Sequence, residues 1–151
     1  MGCQVKKPLQ ASAQDVLDLS VAVIEFYFRI EAITLATAGF AQAGGEWGVL
    51  RTLVKLGPQT VPEMARSRPV SRQHCQTIVN TLEAEGTVEL IENPKHKKSK
   101  LVRITKKGRA RFEVMRKQFL AAAGVYAPFF TAAEVTAATD VCRRARELIQ
   151  V

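Results

Sequence analysis

A chain of 151 residues has room for one buried core, with or without helical extensions, and its 47% apolar and 24% charged residues exclude a disordered tail. A net charge of +8 with a pI near 9.8 is less ordinary and points to a polyanionic partner. The excess is local: Lys95, Lys97, Lys98, Lys100, Arg103, Lys106, Lys107, Arg109, Arg111, Arg116 and Lys117 supply 11 of the 22 cations, and the only acid among them is Glu113.

Residues 1–14 mix Gln4, Lys6, Lys7 and Pro8 with no apolar core of signal-peptide length, so the chain is expected to remain in the cytoplasm. The most apolar region, Val16 to Ala43, is interrupted by Asp18, Glu25, Arg29 and Glu31, too often for a membrane span. It reads as a helix from near Asp15, with Val16, Leu19, Val23, Phe26, Ile30 and Ile33 at helical spacing and Leu17, Val21, Ile24, Phe28 and Leu35 on other faces. A helix apolar nearly all round needs cover on more than one side, from a dimer partner or from the chain's own core. Gly44 and Gly45 interrupt the pattern. Trp47, Leu50, Leu53 and Val54 then form the inward stripe of a second helix, which Gly57-Pro58 ends.

Thr60-Val-Pro-Glu63 fits a capping box, with Pro62 in a first turn where its missing N–H costs little. The helix that follows is short, because Pro69 disfavours helical geometry at Arg68. Ser71 caps a third helix running to about Glu85 and closed by Gly86. Beyond it, Val88 and Leu90 alternate with Thr87 and Glu89, and Val102 and Ile104 with Leu101 and Arg103, the period of half-buried strands. Asn93-Pro94 turns the chain between them, and His96 to Lys100 forms a hairpin tip. From Thr105 a helix resumes with Phe112, Met115, Phe119 and Leu120 inward, until Gly124 and Pro128 interrupt it. Thr131-Ala-Ala-Glu134 is a second capping box, and it opens a last helix with Val135, Ala138, Cys142, Ala145 and Ile149 on one side. The fold class implied is mainly α with a small β-hairpin wing: a winged helix-turn-helix over residues 46–108, between an N-terminal helical region, 1–45, and C-terminal helices, 109–151, read as dimerisation elements.

The Ser71 helix buries Cys75, Ile78, Val79 and Leu82 and leaves Arg72, Gln73, Gln76, Thr77 and Asn80 outward. Arginine bonds guanine O6 and N7 together, glutamine and asparagine bond adenine N6 and N7, and a threonine methyl touches thymine. No acid stands on this helix before Glu83, which a phosphate-facing surface requires. Ser71 and these five outward residues are therefore candidate contacts to double-stranded DNA. Lys95, Lys97, Lys98 and Lys100 on the wing are candidates for the phosphate track or a narrow minor groove. A winged module whose basic surface serves an acidic protein partner is the rival reading, since fold alone does not separate the two.

Catalysis finds little footing. No glycine-rich phosphate loop, GxSxG elbow or carboxylate pair with a histidine is present. Cys3, Cys75 and Cys142 are odd in number and widely spaced, and His74 and His96 complete no ligand set, so neither a disulfide framework, a metal nor another cofactor is expected. A thiol redox enzyme would need a second thiol within reach of a low-pKa cysteine, and the spacing places none beside Cys3 or Cys75.

Residues 47–108 together resemble the MarR family of bacterial transcription regulators. The resemblance is carried by Trp47-Gly-Val-Leu50, Thr60-Val-Pro-Glu-Met-Ala65, Val70-Ser71 with Thr77 and Ile78-Val79, Leu82-Glu-Ala-Glu-Gly86, Asn93-Pro94 and Val102-Arg-Ile-Thr-Lys-Lys-Gly108. It implies a homodimer whose first and last helices interlock, two winged modules straddling a pseudopalindromic operator, and repression relieved by a small anionic or phenolic, often aromatic, ligand. On that basis the effector cleft is expected where the first helix meets the winged module, with Phe26, Arg29, Ile30 and Trp47 as lining candidates. The chain departs from the family pattern at the wing, where His96-Lys97-Lys98 stands in place of an Asp-Arg-Arg run. It also departs at Arg68 and Pro69, and at Thr87, where an apolar residue is usual.

Overall fold

A computed structural model describes residues 10–38, 45–67, 70–96 and 98–148. Cys3, Gly44, Arg68, Pro69, Lys97 and Ile149, each given a part in the sequence reading, lie outside the described residues. The order of elements is α1 (Ala13–Ala38), α2 (Glu46–Leu56), α3 (Val61–Ser67), α4 (Arg72–Ala84), β1 (Val88–Ile91), β2 (Leu101–Ile104), α5 (Lys106–Tyr126), a short 3-10 turn (Ala127–Phe129) and α6 (Ala132–Leu148).

Local chemistry accounts for most of the boundaries. At the start of α1 the Ser12 hydroxyl accepts from the Asp15 N–H at 3.2 Å while the Asp15 carboxylate accepts from the Ser12 N–H at 2.7 Å, so the helix opens at Ala13, two residues earlier than expected. Both foreseen capping boxes form: the Glu63 carboxylate accepts from the Thr60 N–H at 2.7 Å, and the Glu134 carboxylate from the Thr131 N–H at 2.8 Å. Gly57 and Gly86, at φ +76° and +71°, end α2 and α4 in the left-handed region that other residues rarely adopt. Gly124 does not break α5, which runs on to Tyr126 because a helical glycine costs only about 1 kcal/mol and its flanking turns continue.

The buried core belongs to the middle of the chain. Val49, Leu50 and Leu53 of α2, Val61 and Met64 of α3, and Cys75, Val79 and Leu82 of α4 meet Val88, Val102 and Ile104 of the hairpin and Phe112 and Met115 of α5. Val54 is exposed and Val49 takes the inward place expected of it, while Leu120 points out of the single chain. The hairpin is antiparallel in the register Val88↔Ile104, Glu89↔Arg103, Leu90↔Val102 and Ile91↔Leu101. Gln59, between α2 and α3, adds an isolated bridge in the place of a third strand: its N–H donates to the Val102 carbonyl at 3.2 Å and its carbonyl accepts from the Val102 N–H at 2.8 Å. The base of the wing is thereby tied to the turn that launches α3.

Thr87 departs from polar-out alternation and is fully buried. Its hydroxyl donates to the Leu82 carbonyl at 2.9 Å, and its carbonyl accepts from the Thr105 N–H at 3.1 Å, so the polar atoms are satisfied where they are buried. Among the described residues, α1 and α6 give no apolar side chain to the buried core. Phe26 and Phe28 on α1 are 61% and 64% exposed, and Phe129 after α5 is 79% exposed, so large apolar side chains stand bare on the single chain. Among the described residues no single helix is long and apolar enough to cross a membrane.

Candidate nucleic-acid interface

α4 is built to show one face. Ser71 holds an extended backbone and its hydroxyl oxygen accepts from the His74 N–H at 3.1 Å, which caps the helix and leaves its own proton to donate outward. Cys75, Val79 and Leu82 are buried and Ile78 half-buried, so Arg72, Gln73, Gln76, Thr77 and Asn80 stand exposed together, as the periodicity requires. Their polar atoms are partly committed. The Thr77 hydroxyl donates to the Gln73 carbonyl at 3.1 Å, which turns its methyl into the outward group. Gln76 Nε2 donates to Asn80 Oδ1 at 2.7 Å, leaving Gln76 Oε1 as acceptor and Asn80 Nδ2 as donor, the complement of an adenine edge.

The wing tip is two consecutive turns. Asn93, nearly buried, accepts from the Lys95 N–H at its side-chain oxygen (3.0 Å) and from the His96 N–H at its carbonyl (3.2 Å), and the Ser99 N–H then donates to the His96 carbonyl at 3.0 Å. Lys95, His96, Lys98 and Lys100 project from this frame and are exposed. The first turn is shaped by Asn93 through its side-chain oxygen and its carbonyl, with no carboxylate taking part in these turn contacts.

The basic stretch is less free than its sequence suggests. Arg103 pairs across the hairpin with Glu89 at 2.9 Å, Lys107 Nζ donates to the Glu85 carbonyl at 2.6 Å, and Arg111 engages both Glu46 and Glu85. Arg116 lies 3.6 Å from Glu113 on its own helix. Glu63 at the start of α3 is held below the usual carboxylate range, chiefly by the Thr60 backbone and side-chain hydrogen bonds, with Arg66 and Lys95 adding attraction. Within the cluster, Arg103, Lys107 and Arg111 thus serve internal contacts, while the wing lysines, with Lys106, Arg109 and Lys117 on α5, are exposed and carry outward charge.

Comparison with known proteins bears on what such a surface serves. A family model described as "MarR family" matches residues 41–99. The chain belongs to the MarR family. An uncharacterised protein of Mycobacterium tuberculosis is 31% identical over 116 residues, spanning 77% of this chain and 79% of the relative. Three solved structures share the fold. BldR from Sulfolobus solfataricus aligns at TM-score 0.76 with 16% identity over 93% of this chain and all (100%) of that one. A MarR-family regulator from Rhodococcus sp. RHA1 aligns at 0.73 with 19% identity over 95% and 100% of the two chains. Bordetella bronchiseptica BpsR, whose DNA binding is regulated by 6-hydroxynicotinic acid, aligns at 0.70 with 19% identity over 85% and 98%. MarR-family proteins are transcription regulators that act by binding DNA, and catalysis is no part of that activity.

The residues expected to line a MarR-type effector cleft are spread over two helices. Phe26 and Arg29 are exposed on α1, Ile30 beside them is half-buried, and Trp47 at the start of α2 is half-buried. The Trp47 ring stacks on Phe112 with centroids 4.6 Å apart and 13° between planes, and it meets Phe119 at 4.6 Å and 58°. A cleft of about 180 Å³ opens elsewhere, lined by Glu46, Thr77, Ile78, Thr81 and Leu82 on the α4 side of the module. Sequence reading missed the junction made by Arg111, whose partners stand 65 and 26 residues away, and no local pattern announces pairs at that separation.

Proposed function

We propose that this MarR-family regulator is a cytoplasmic homodimeric repressor, in which residues 46–108 read DNA and residues 1–45 and 109–151 supply the dimer. The observation that carries the reading is the pairing of an exposed α4 face that holds no acid from Arg72 to Leu82 with an exposed lysine-bearing wing tip, on a module whose flanking helices leave their apolar faces bare. In this reading Arg72, Gln73, Gln76, Thr77 and Asn80 enter the major groove, Ser71 donates to a backbone phosphate, and Lys95, Lys97, Lys98 and Lys100 follow the phosphates alongside. Two copies related by a two-fold axis then read a pseudopalindrome.

A small anionic aromatic or phenolic effector is proposed for the region of Phe26, Arg29, Ile30 and Trp47. Its support is the exposed Arg29, suited to a carboxylate or phenolate, beside apolar surface, and the control of BpsR by an aromatic acid. An effector favouring a helix spacing unlike that on DNA releases the operator by its differential affinity for the two states.

Selection of bound sequences from a random duplex pool tests the function. The expected product is an inverted repeat with half-site centres about one helical turn, roughly 34–36 Å, apart, bound with an affinity that falls linearly in log salt. An asymmetric single site would refute the dimer. Retention on heparin equal to that on the selected duplex would refute sequence reading and favour an acidic partner.

A further inference from the structure

One side chain joins three elements at the back of the reading head. Arg111, in the second turn of α5, turns Nε and Nη2 toward the carboxylate of Glu46, the first residue of α2, with Nη2 2.8 Å from Oε2. Its Nη1 donates to Glu85 Oε2 at 2.9 Å, at the C-cap of α4. One turn earlier Lys107 grips the Glu85 carbonyl, and Gly108 lies directly against the Thr87 backbone. Glu46 Oε1 has almost no contact with water and faces Arg111 Nε, so its charge is compensated by that guanidinium. The planar fork of arginine suits this double engagement, which an ammonium point charge does not reproduce.

α5 then continues unbroken to Tyr126, carrying exposed Leu120, Val125 and Tyr126 into the region assigned to the dimer. It therefore has the recognition helix at one end and the partner subunit at the other. α4 has 13 residues and is about 20 Å long at 1.5 Å per residue, and its reading end is the one far from the clamp. A tilt of about 10° about the clamped end moves that reading end by roughly 3.4 Å, one base-pair step.

We propose that Arg111 is a positioning residue for operator recognition: by tying the end of α4 and the start of α2 to α5, it fixes the angle of the reading helix and so the half-site spacing that the dimer accepts. The inference rests on the dimeric DNA-binding function proposed above. A purely stabilising role makes a different prediction: loss of Arg111, which leaves the buried Glu46 Oε1 without its partner, would then lower the urea midpoint and weaken binding by the same factor at every operator spacing. Geometry, in contrast, responds directly, since loss of the guanidinium releases Glu46 and the Glu85 carboxylate from α5 and leaves Lys107, on the Glu85 carbonyl, as the remaining polar tie to that residue.

The test measures affinity of the full chain, Arg111→Gln and Arg111→Lys for the selected operator and for versions lengthened or shortened at the centre by one base pair. The unaltered protein is expected to discriminate against the altered spacings by about tenfold or more, and Arg111→Gln to bind the best operator about tenfold more weakly with that discrimination reduced to about two- or threefold. Base preference within each half-site stays unchanged, dimer mass by light scattering stays unchanged, and Arg111→Lys falls between. Spacing discrimination that survives intact in Arg111→Gln overturns the inference and leaves the proposed function standing. A loss equal on all duplexes, random ones included, also overturns it, making Arg111 a phosphate contact. Failure of the unaltered protein to bind duplex DNA or to distinguish spacings overturns the proposed function and this inference with it. Should Arg111→Gln not fold, Glu85→Gln removes one arm of the clamp and is judged by the same spacing series.

Discussion

Substituting Gly108 by alanine sets two effects of opposite sign against each other in one methyl group. Alanine favours the helix by about 1 kcal/mol over glycine. Yet a Cβ at this position would stand 2.0 Å from the Thr87 carbonyl oxygen, about 1.4 Å short of the 3.4 Å at which ordinary contact begins, and 2.8 Å from Ile104 Cγ1. The near atom is backbone, so no rotamer relieves the clash, and α5 must retreat. Retreat strains the bonds from the Thr105 hydroxyl to the Gly86 carbonyl (2.8 Å) and from the Thr105 N–H to the Thr87 carbonyl (3.1 Å). Overpacking costs about 1–3 kcal/mol and each of the two strained hydrogen bonds about 0.5–1.5, so the net loss is about 1–5 kcal/mol after the helix gain. Urea denaturation followed by circular dichroism, at one fixed protomer concentration, measures it. Gly124→Ala is the internal control: nothing lies within 4 Å of its Cβ, and the same helix gain of up to about 1 kcal/mol is expected with no opposing term. If Gly108→Ala matches Gly124→Ala in stability, the close approach of α5 to Thr87 is not what holds this corner.

The remaining expectations concern caps, charge and assembly. Asp15, Glu63 and Glu134 have pKa values lowered chiefly by hydrogen bonds from Ser12, Thr60 and Thr131, so the stability they add is complete above the ordinary carboxylate pKa and is lost as pH falls through the lowered folded values. Helix content should therefore fall on acidification below about pH 4, less steeply in Glu63→Gln, and Thr60→Ala should cost about 1 kcal/mol at neutral pH in the urea assay. Lys98→Ala should weaken selected and random duplexes alike and lower the salt slope by about one, whereas Arg72→Ala should cost about 1–3 kcal/mol on the selected site alone. Arg103→Ala, which removes a pair already used within the hairpin, should change affinity and stability by less than about 1 kcal/mol, as anisotropy titrations and melting curves will register. Truncation after Pro128 should yield aggregate or unfolded chain, and a monodisperse folded monomer at micromolar concentration by light scattering would remove the case for a dimer built on α1 and α6.

Elements that sequence announces through nearest neighbours were legible: the boxes at Thr60 and Thr131, the cap at Ser71, the stop at Gly86, and the exposed row on α4 all follow from spacing of a few residues. Legibility ended where the chain meets itself at a distance. The charge run from Lys95 to Lys117 looked uniformly available, because the Glu89, Glu85 and Glu46 carboxylates that engage Arg103 and Arg111, and the Glu85 carbonyl that engages Lys107, come from β1, the end of α4 and the start of α2. Thr87 read as an outward residue by alternation, but Leu82, five residues back, offers a carbonyl that lets it turn inward. The Gln59 bridge was invisible because a single paired residue has no period. Leu120 read as inward on helical spacing, which assigns a face without saying whether this chain or another covers it.

The bridge between Gln59 and Val102 fixes the wing at its base, while among the described residues of the tip the contacts are turn hydrogen bonds accepted by Asn93 and His96. Lengthening the tip beyond Lys95, or recharging it there, leaves the strand register and the Gln59 bridge in place, whereas Lys95 itself also attracts the Glu63 carboxylate that caps α3. Descendants of this sequence are thus able to drift in how tightly they hold nucleic acid without revising which bases they prefer. The two traits are separately heritable, and loop insertions between Lys95 and Lys100 are where a lineage would be free to explore the first of them.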